Sequence, residues 1–225
     1  MLGETTVRAS GSSPGRCAAV GHTQRRASKV PPLHPFLVSV ATVGLGEIGD
    51  KTQLLALLLA LRYRRPYTIL CGILVATVLN HLLAALAGEW LRSLLTPGVL
   101  RWSIGLSLLA VAAWTLKPDQ LDEEETVAPP RHGLFWLTLV SFFVAEIGDK
   151  TQIATALLAA RYNDLLLVVL GTTLGMMLAN APAVLFGHHL GERVPLVWVR
   201  RCAALLFGAQ GVLVLLGYGV GLGSS

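Results

Sequence analysis

Charge is scarce in this sequence. Asp, Glu, Lys and Arg make up 14% of the 225 residues against 53% hydrophobic, and mean hydropathy is +0.62. That balance leaves no room for a large soluble domain and points to a polytopic membrane protein rather than a soluble enzyme. Cysteine is sparse too. Cys17, Cys71 and Cys202 are scattered without a CxxC spacing, Cys71 and Cys202 fall in or beside apolar runs, and all three read as small hydrophobes. No nucleophile with a base partner stands out, which sets enzyme chemistry aside.

The first 33 residues hold a single acid, Glu4, and lack the apolar core of about 7 to 15 residues that a secretory signal requires. Their basic residues are Arg8, Arg16, Arg25, Arg26 and Lys29, among Ser, Ala, Gly and Thr. Residues 1–35 therefore read as a basic disordered tail or an over-long start, with an organelle transit peptide as the alternative. The formal net charge of +5 comes from this tail and from short loops between apolar runs. It reflects membrane topology, and no nucleic-acid partner is expected.

Long apolar runs are what the chain has in abundance. Six of them, Phe36 to Leu61, Thr68 to Gly88, Val99 to Leu116, Leu134 to Ala160, Leu165 to Gly187 and Leu196 to Gly219, are of membrane-spanning length. Inside the first lies Glu47-Ile48-Gly49-Asp50-Lys51-Thr52-Gln53, and inside the fourth the same seven residues return as Glu146-Ile147-Gly148-Asp149-Lys150-Thr151-Gln152. Six mid-helix charges facing lipid would cost on the order of 15 to 20 kcal/mol. This rivals the whole net stability of a typical domain, about 5 to 15 kcal/mol. The two segments must face each other or a watery cavity.

The repeat extends beyond the heptapeptide. Aligning Glu47 with Glu146 also superposes Ser39 on Thr138, Thr42 on Ser141, Arg62-Tyr63 on Arg161-Tyr162, Gly72 on Gly171 and Gly88 on Gly187. Each half then holds three spans, an odd number, so the second copy crosses in the opposite sense. The expected fold is an all-α polytopic membrane protein of six transmembrane helices in two inverted three-helix repeats, residues 36–116 and 134–220, joined by an acidic linker, 117–133. Arg62, Arg64, Arg65, Lys117, Arg131, Arg193, Arg200 and Arg201 fall on one side, against Arg92, Arg101 and Arg161 on the other. The positive-inside rule makes the first side, with the linker, cytoplasmic. Within that linker, Asp122-Glu123-Glu124-Glu125 reads as solvated chain rather than a cation-recruiting segment.

On a continuous helix Glu47, Asp50 and Lys51 share a face, as do Glu146, Asp149 and Lys150, while Thr52 and Gln53 point elsewhere. Each motif carries two carboxylates and one ammonium, so the pair makes a pocket of net charge minus two. One divalent cation or two protons would neutralise it. An empty, deprotonated pocket is costly at low dielectric, and mutually exclusive occupancy by metal or protons is the logic of an antiporter. A purely structural ion-pair network would instead be charge-balanced. Oxygen donors suit calcium, magnesium or manganese, whereas zinc and copper favour His and Cys. Asn80 and Asn180 lie at a depth that could line a pathway or bond between helices, and His81 is a candidate neighbour or a core residue. Gly49 and Gly148 either permit local unwinding or serve packing.

Glu-x-Gly-Asp-Lys-Thr, present twice, once on the first helix of each half, resembles the Gdt-type family of divalent cation/proton antiporters, over roughly Phe36 to Gly219. The resemblance implies six helices, an acidic cytoplasmic loop, and export of manganese or calcium from the cytosol in exchange for protons. It maps metal-binding acids onto Glu47, Asp50, Glu146 and Asp149, and supporting positions onto Lys51, Thr52, Lys150 and Thr151, with Gln53 and Gln152 following. The short linker suggests a compact bacterial form in the inner membrane, or an organelle membrane if the tail is a transit peptide. The transported Mn2+ or Ca2+ is cargo, no tightly bound cofactor is expected, and a homo-oligomer stays open. A cation channel and an exporter of a small basic solute such as lysine are the competing readings.

Overall fold

The computed structural model describes residues 33–117, 133–190 and 196–218, with side chains at 187–190 and 196 left aside. Residues 1–32 of the expected tail and 118–132 of the expected linker lie outside the described residues; His34 and Pro35, expected in the tail, open the first helix. Among those described there are eight helices and no strand: α1 His34–Glu47, α2 Lys51–Tyr63, α3 Pro66–Leu94, α4 Pro97–Thr115, α5 Leu134–Glu146, α6 Lys150–Tyr162, α7 Leu165–Leu190 and α8 Leu196–Leu215. Four stretches, Pro66–Leu94, Pro97–Thr115, Leu165–Phe186 and Val197–Leu215, are long and apolar enough to cross a membrane; Leu134–Glu146 is apolar but shorter.

The first and fourth apolar runs, expected as single helices, are each broken in two at the heptapeptide. Ile48 (φ −64°, ψ 118°) is followed by Gly49 at φ 80°, and the Asp50 amide donates to the Glu47 carbonyl at 3.0 Å. Ile147 (φ −62°, ψ 119°), Gly148 at φ 76° and the Asp149 to Glu146 bond of 3.1 Å repeat this in the second half. These features are those of a type II β-turn, whose third residue needs positive φ and is therefore usually glycine. Glu-Ile-Gly-Asp thus ends one helix and starts the next, and the shared helical face expected for Glu47, Asp50 and Lys51 does not exist.

The boundaries have local causes. Proline occupies the first turn of α1, α3 and α4, where its missing N–H has no helical partner to lose. Helices α2 and α6 close on left-handed residues, Arg64 (φ 51°) and Asn163 (φ 53°), whose amides reach back to Ala60 and Ala159.

Packing interleaves the two halves. The first helix of each half lies on the third helix of the other, α1 on α7 and α5 on α3, while α4 pairs with α8. Because lipid is as apolar as a leucine side chain, small residues that let backbones approach do the work at such crossings. A Cβ on Gly72 would meet Thr138 Cβ at 2.8 Å, and one on Gly171 would meet Ser39 Cβ at 2.8 Å and the Phe36 carbonyl at 2.6 Å. The aligned pairs Gly72/Thr138 and Gly171/Ser39 are therefore the same crossing built twice. Apolar clusters flank the breaks, one around Leu59, Ile73 and Phe142, another around Ile104, Leu108 and Phe207.

Gly171→Ala should destabilise the purified protein by about 1 to 3 kcal/mol through overpacking against rigid backbone. Gly98→Ala, where a Cβ meets nothing within 4 Å, should not. Melting temperatures of both variants in one detergent check this; equal melting would disprove the tight crossing.

Candidate metal centre at two broken helices

Each turn puts a glutamate on the last residue of one helix and an aspartate at the N-cap of the next. The helix that follows presents its positive end to the aspartate, and the helix that precedes presents its negative, carbonyl end, which favours a cation. The interleaved packing brings the two turns together. One carboxylate oxygen from each of Glu47, Asp50 and Asp149 lies within 4.8 Å of the others, and all three residues are buried. Oxygen ligands of a large hard cation such as calcium sit at about 2.3 to 2.6 Å, so opposite ligands are about twice that distance apart. A spacing of 4.8 Å is within reach of one common ion.

Lys150 Nζ lies 2.5 Å from Asp50 Oδ1, a buried ion pair joining the two halves. Asp149 instead serves its own helix: Oδ2 accepts from the Thr151 amide at 3.3 Å and from Thr151 Oγ1 at 3.1 Å. Asp50 makes no such cap, so the repeated aspartates do different jobs. Glu47 Oε1 accepts from Asn180 Nδ2 at 3.4 Å, and its Oε2 is buried with no hydrogen-bond partner.

Glu146 stands apart from the other three acids. It is 1% exposed, accepts from Thr77 Oγ1 at 3.2 Å and Asn80 Nδ2 at 3.3 Å, and is not in the three-acid group. Lys51, the copy of Lys150, is half-buried and makes no ion pair among the described residues. Thr52 is buried with Oγ1 unbonded. His81 is fully buried, both ring nitrogens lack a hydrogen-bond partner, and it does not join the acids. Asn80 and Asn180 do reach the glutamates.

Gln53, expected to point elsewhere, and its copy Gln152 fold back onto the turns: Oε1 accepts from the Gly49 amide at 2.8 Å and from the Gly148 amide at 2.7 Å. Thr77 was not singled out from the sequence. It lies three residues before Asn80 on α3, so the helical spacing that places Asn80 at Glu146 places Thr77 there too.

Against known proteins, the family model described as "Divalent cation/proton antiporter GDT1" matches residues 35–123 and 134–219. A Vibrio cholerae protein named "Putative manganese exporter" is 50% identical over 171 residues, covering 76% of this chain and 84% of that protein. An Arabidopsis thaliana protein named "GDT1-like protein 5" is 31% identical over 221 residues, covering 82% and 96%. A GDT1-like protein of Synechocystis is 28% identical over 194 residues, covering 78% and 93%. No solved structure matches the chain.

A Cβ on Gly148 would meet nothing within 4 Å, yet the residue sits at φ 76°. Gly148→Ala should therefore cost about 1 to 2 kcal/mol from backbone conformation alone. Gly148→Asn, which tolerates positive φ, should cost less. Thermal melting that ranks alanine at or above asparagine would contradict the turn.

Proposed function

The chain belongs to the divalent cation/proton antiporter GDT1 family, and on that premise we propose that it exports Mn2+, with Ca2+ as the second candidate, from the cytosol in exchange for protons. The name of the Vibrio cholerae relative supports manganese, and that relative's bacterial source supports the plasma membrane of a bacterium as the location. The observation that carries the reading is the cluster of Glu47, Asp50 and Asp149, buried together and accompanied by Lys150. Three carboxylates and one ammonium leave an excess of two negative charges, which one divalent cation or two protons would balance. Burying that excess uncompensated is expensive, so metal and protons exclude one another at the same oxygens.

In this scheme each broken pair, α1 with α2 and α5 with α6, forms one crossing. A helix of 14 residues rises only about 21 Å, short of the roughly 30 Å hydrocarbon core, so neither half-helix spans alone. With α3, α4, α7 and α8 this makes six crossings in two inverted repeats and places the cluster near the membrane midplane. Lys150 holds Asp50 while the site lacks metal, releases it as the cation arrives and returns when the cation leaves. Glu47 offers the oxygen least engaged by the protein, and Glu146 joins as the halves rock.

Purified protein in liposomes should accumulate Mn2+ against its gradient when a pH difference is imposed. Conduction that ignores the pH difference would favour a channel, and lysine transport without metal transport would favour a basic-solute exporter. Glu47→Gln preserves shape and breaks no ion pair, so it should lower exchange at least a hundredfold at unchanged melting temperature. Asp50→Asn should abolish exchange and also destabilise the fold, because it strands Lys150. Exchange that survives Glu47→Gln would remove the cluster from the mechanism.

A further inference from the structure

Gln53 and Gln152 lie one residue beyond Glu-x-Gly-Asp-Lys-Thr, and the excess charge of the cluster gives them no part. Their contacts are nonetheless the same in both copies. Each side chain turns back onto the glycine amide of its own turn, Gln53 to Gly49 at 2.8 Å and Gln152 to Gly148 at 2.7 Å. Each then uses its amide nitrogen on the third helix of the other half: Gln53 Nε2 donates to the Ala179 carbonyl on α7 at 2.8 Å, and Gln152 Nε2 to Asn80 Oδ1 on α3 at 3.4 Å.

We propose that Gln53 and Gln152 are positioning residues that clamp the two turns in cation-binding shape and tie each turn to the opposite half. The proposal rests on the transport reading above and assigns a role that the acids cannot fill themselves. In an ordinary capping box the third residue of a helix reaches back to the N-cap amide. Here the N-cap is the aspartate and the glutamine reaches one residue further, to the glycine between the two acids of each motif. The glutamine oxygen satisfies that amide. Holding the glycine peptide orients the backbone that carries Glu47 and Asp50 in one copy, and Glu146 and Asp149 in the other.

The second bond makes the clamp more than a local cap. Asn80, which receives Gln152, also donates to Glu146 Oε2 at 3.3 Å and to the Phe143 carbonyl at 3.1 Å. Glycine amide, glutamine, asparagine and glutamate thus form one connected circuit across α5, α6 and α3. In the first copy the circuit ends on the Ala179 carbonyl, next to Asn180, which donates to Glu47. Movement of α3 or α7 would therefore reach the acids through these side chains.

The test uses the full chain in liposomes with Mn2+ and Mg2+ as probes, comparing Gln53→Met and Gln152→Met, which keep length and lose both bonds, with Gln53→Glu and Gln152→Glu, which keep the acceptor. Expected are a KM for Mn2+ raised about tenfold in each methionine variant, a reduced preference for Mn2+ over Mg2+, and partial recovery in the glutamate variants. Amide hydrogen exchange of residues 47–53 and 146–152 should rise in the methionine variants at unchanged melting temperature. Unchanged exchange in those peptides would overturn the clamp. Raised exchange with unaltered KM and selectivity would reduce the glutamines to helix caps and overturn the positioning role. If wild-type protein carries no divalent cation, the transport reading falls by that control, and the hydrogen-exchange arm still decides the clamp.

Discussion

A break in a helix frees peptide groups that must find partners outside the helix, and the molecule is organised around meeting that demand twice. The glycine at positive φ makes the turn, the turn's own hydrogen bond closes it, and a glutamine side chain takes the remaining glycine amide. The first helix of each half lies on the third helix of the other, and that packing brings the two turns to one place. The close crossings at Gly72 and Gly171 allow it. Glu47, Asp50 and Asp149 converge, buried, where the two turns meet.

Equivalent residues are not in equivalent states. Asp149 caps its own helix while Asp50 reaches across to Lys150. Glu47 belongs to the three-acid group while Glu146 is held by Thr77 and Asn80. Helix α6 is buried along almost its whole length, and Arg161 at its end donates to Gln210, which in turn donates to Thr42. The matching Arg62 is exposed. Two nearly identical peptides thus occupy a covered and a more open environment, as two copies must in any protein whose halves are related but not superimposable at one instant.

Much of the arrangement was legible in the residues. Apolar run lengths located α3, α4, α7 and α8 within a few positions, and the doubled motif marked the acids, because charge inside an apolar run has few physical explanations. In the sequence, Gly49 and Gly148 read equally as sites where a helix can unwind and as packing positions. Glycine reports only that a side chain is absent and does not say whether the backbone or a neighbour needs the space. The helical-face argument for Glu47, Asp50 and Lys51 failed for that reason, although Glu47, Asp50 and Asp149 still met. The role of Gln53 and Gln152 was hidden because a long flexible amide has no preferred direction until a peptide group needs it.

What the sequence by itself determined is the chemistry: an apolar, helical, duplicated chain with a surplus of carboxylates that must be buried together, since segment length and transfer cost depend on residue type alone. Which carboxylates meet, which lysine pairs, and which threonine, asparagine and glutamine hold them were decided only by the tertiary structure. Those choices depend on angstrom-scale distances between helices remote in the chain, and two identical heptapeptides cannot encode the difference between their own surroundings.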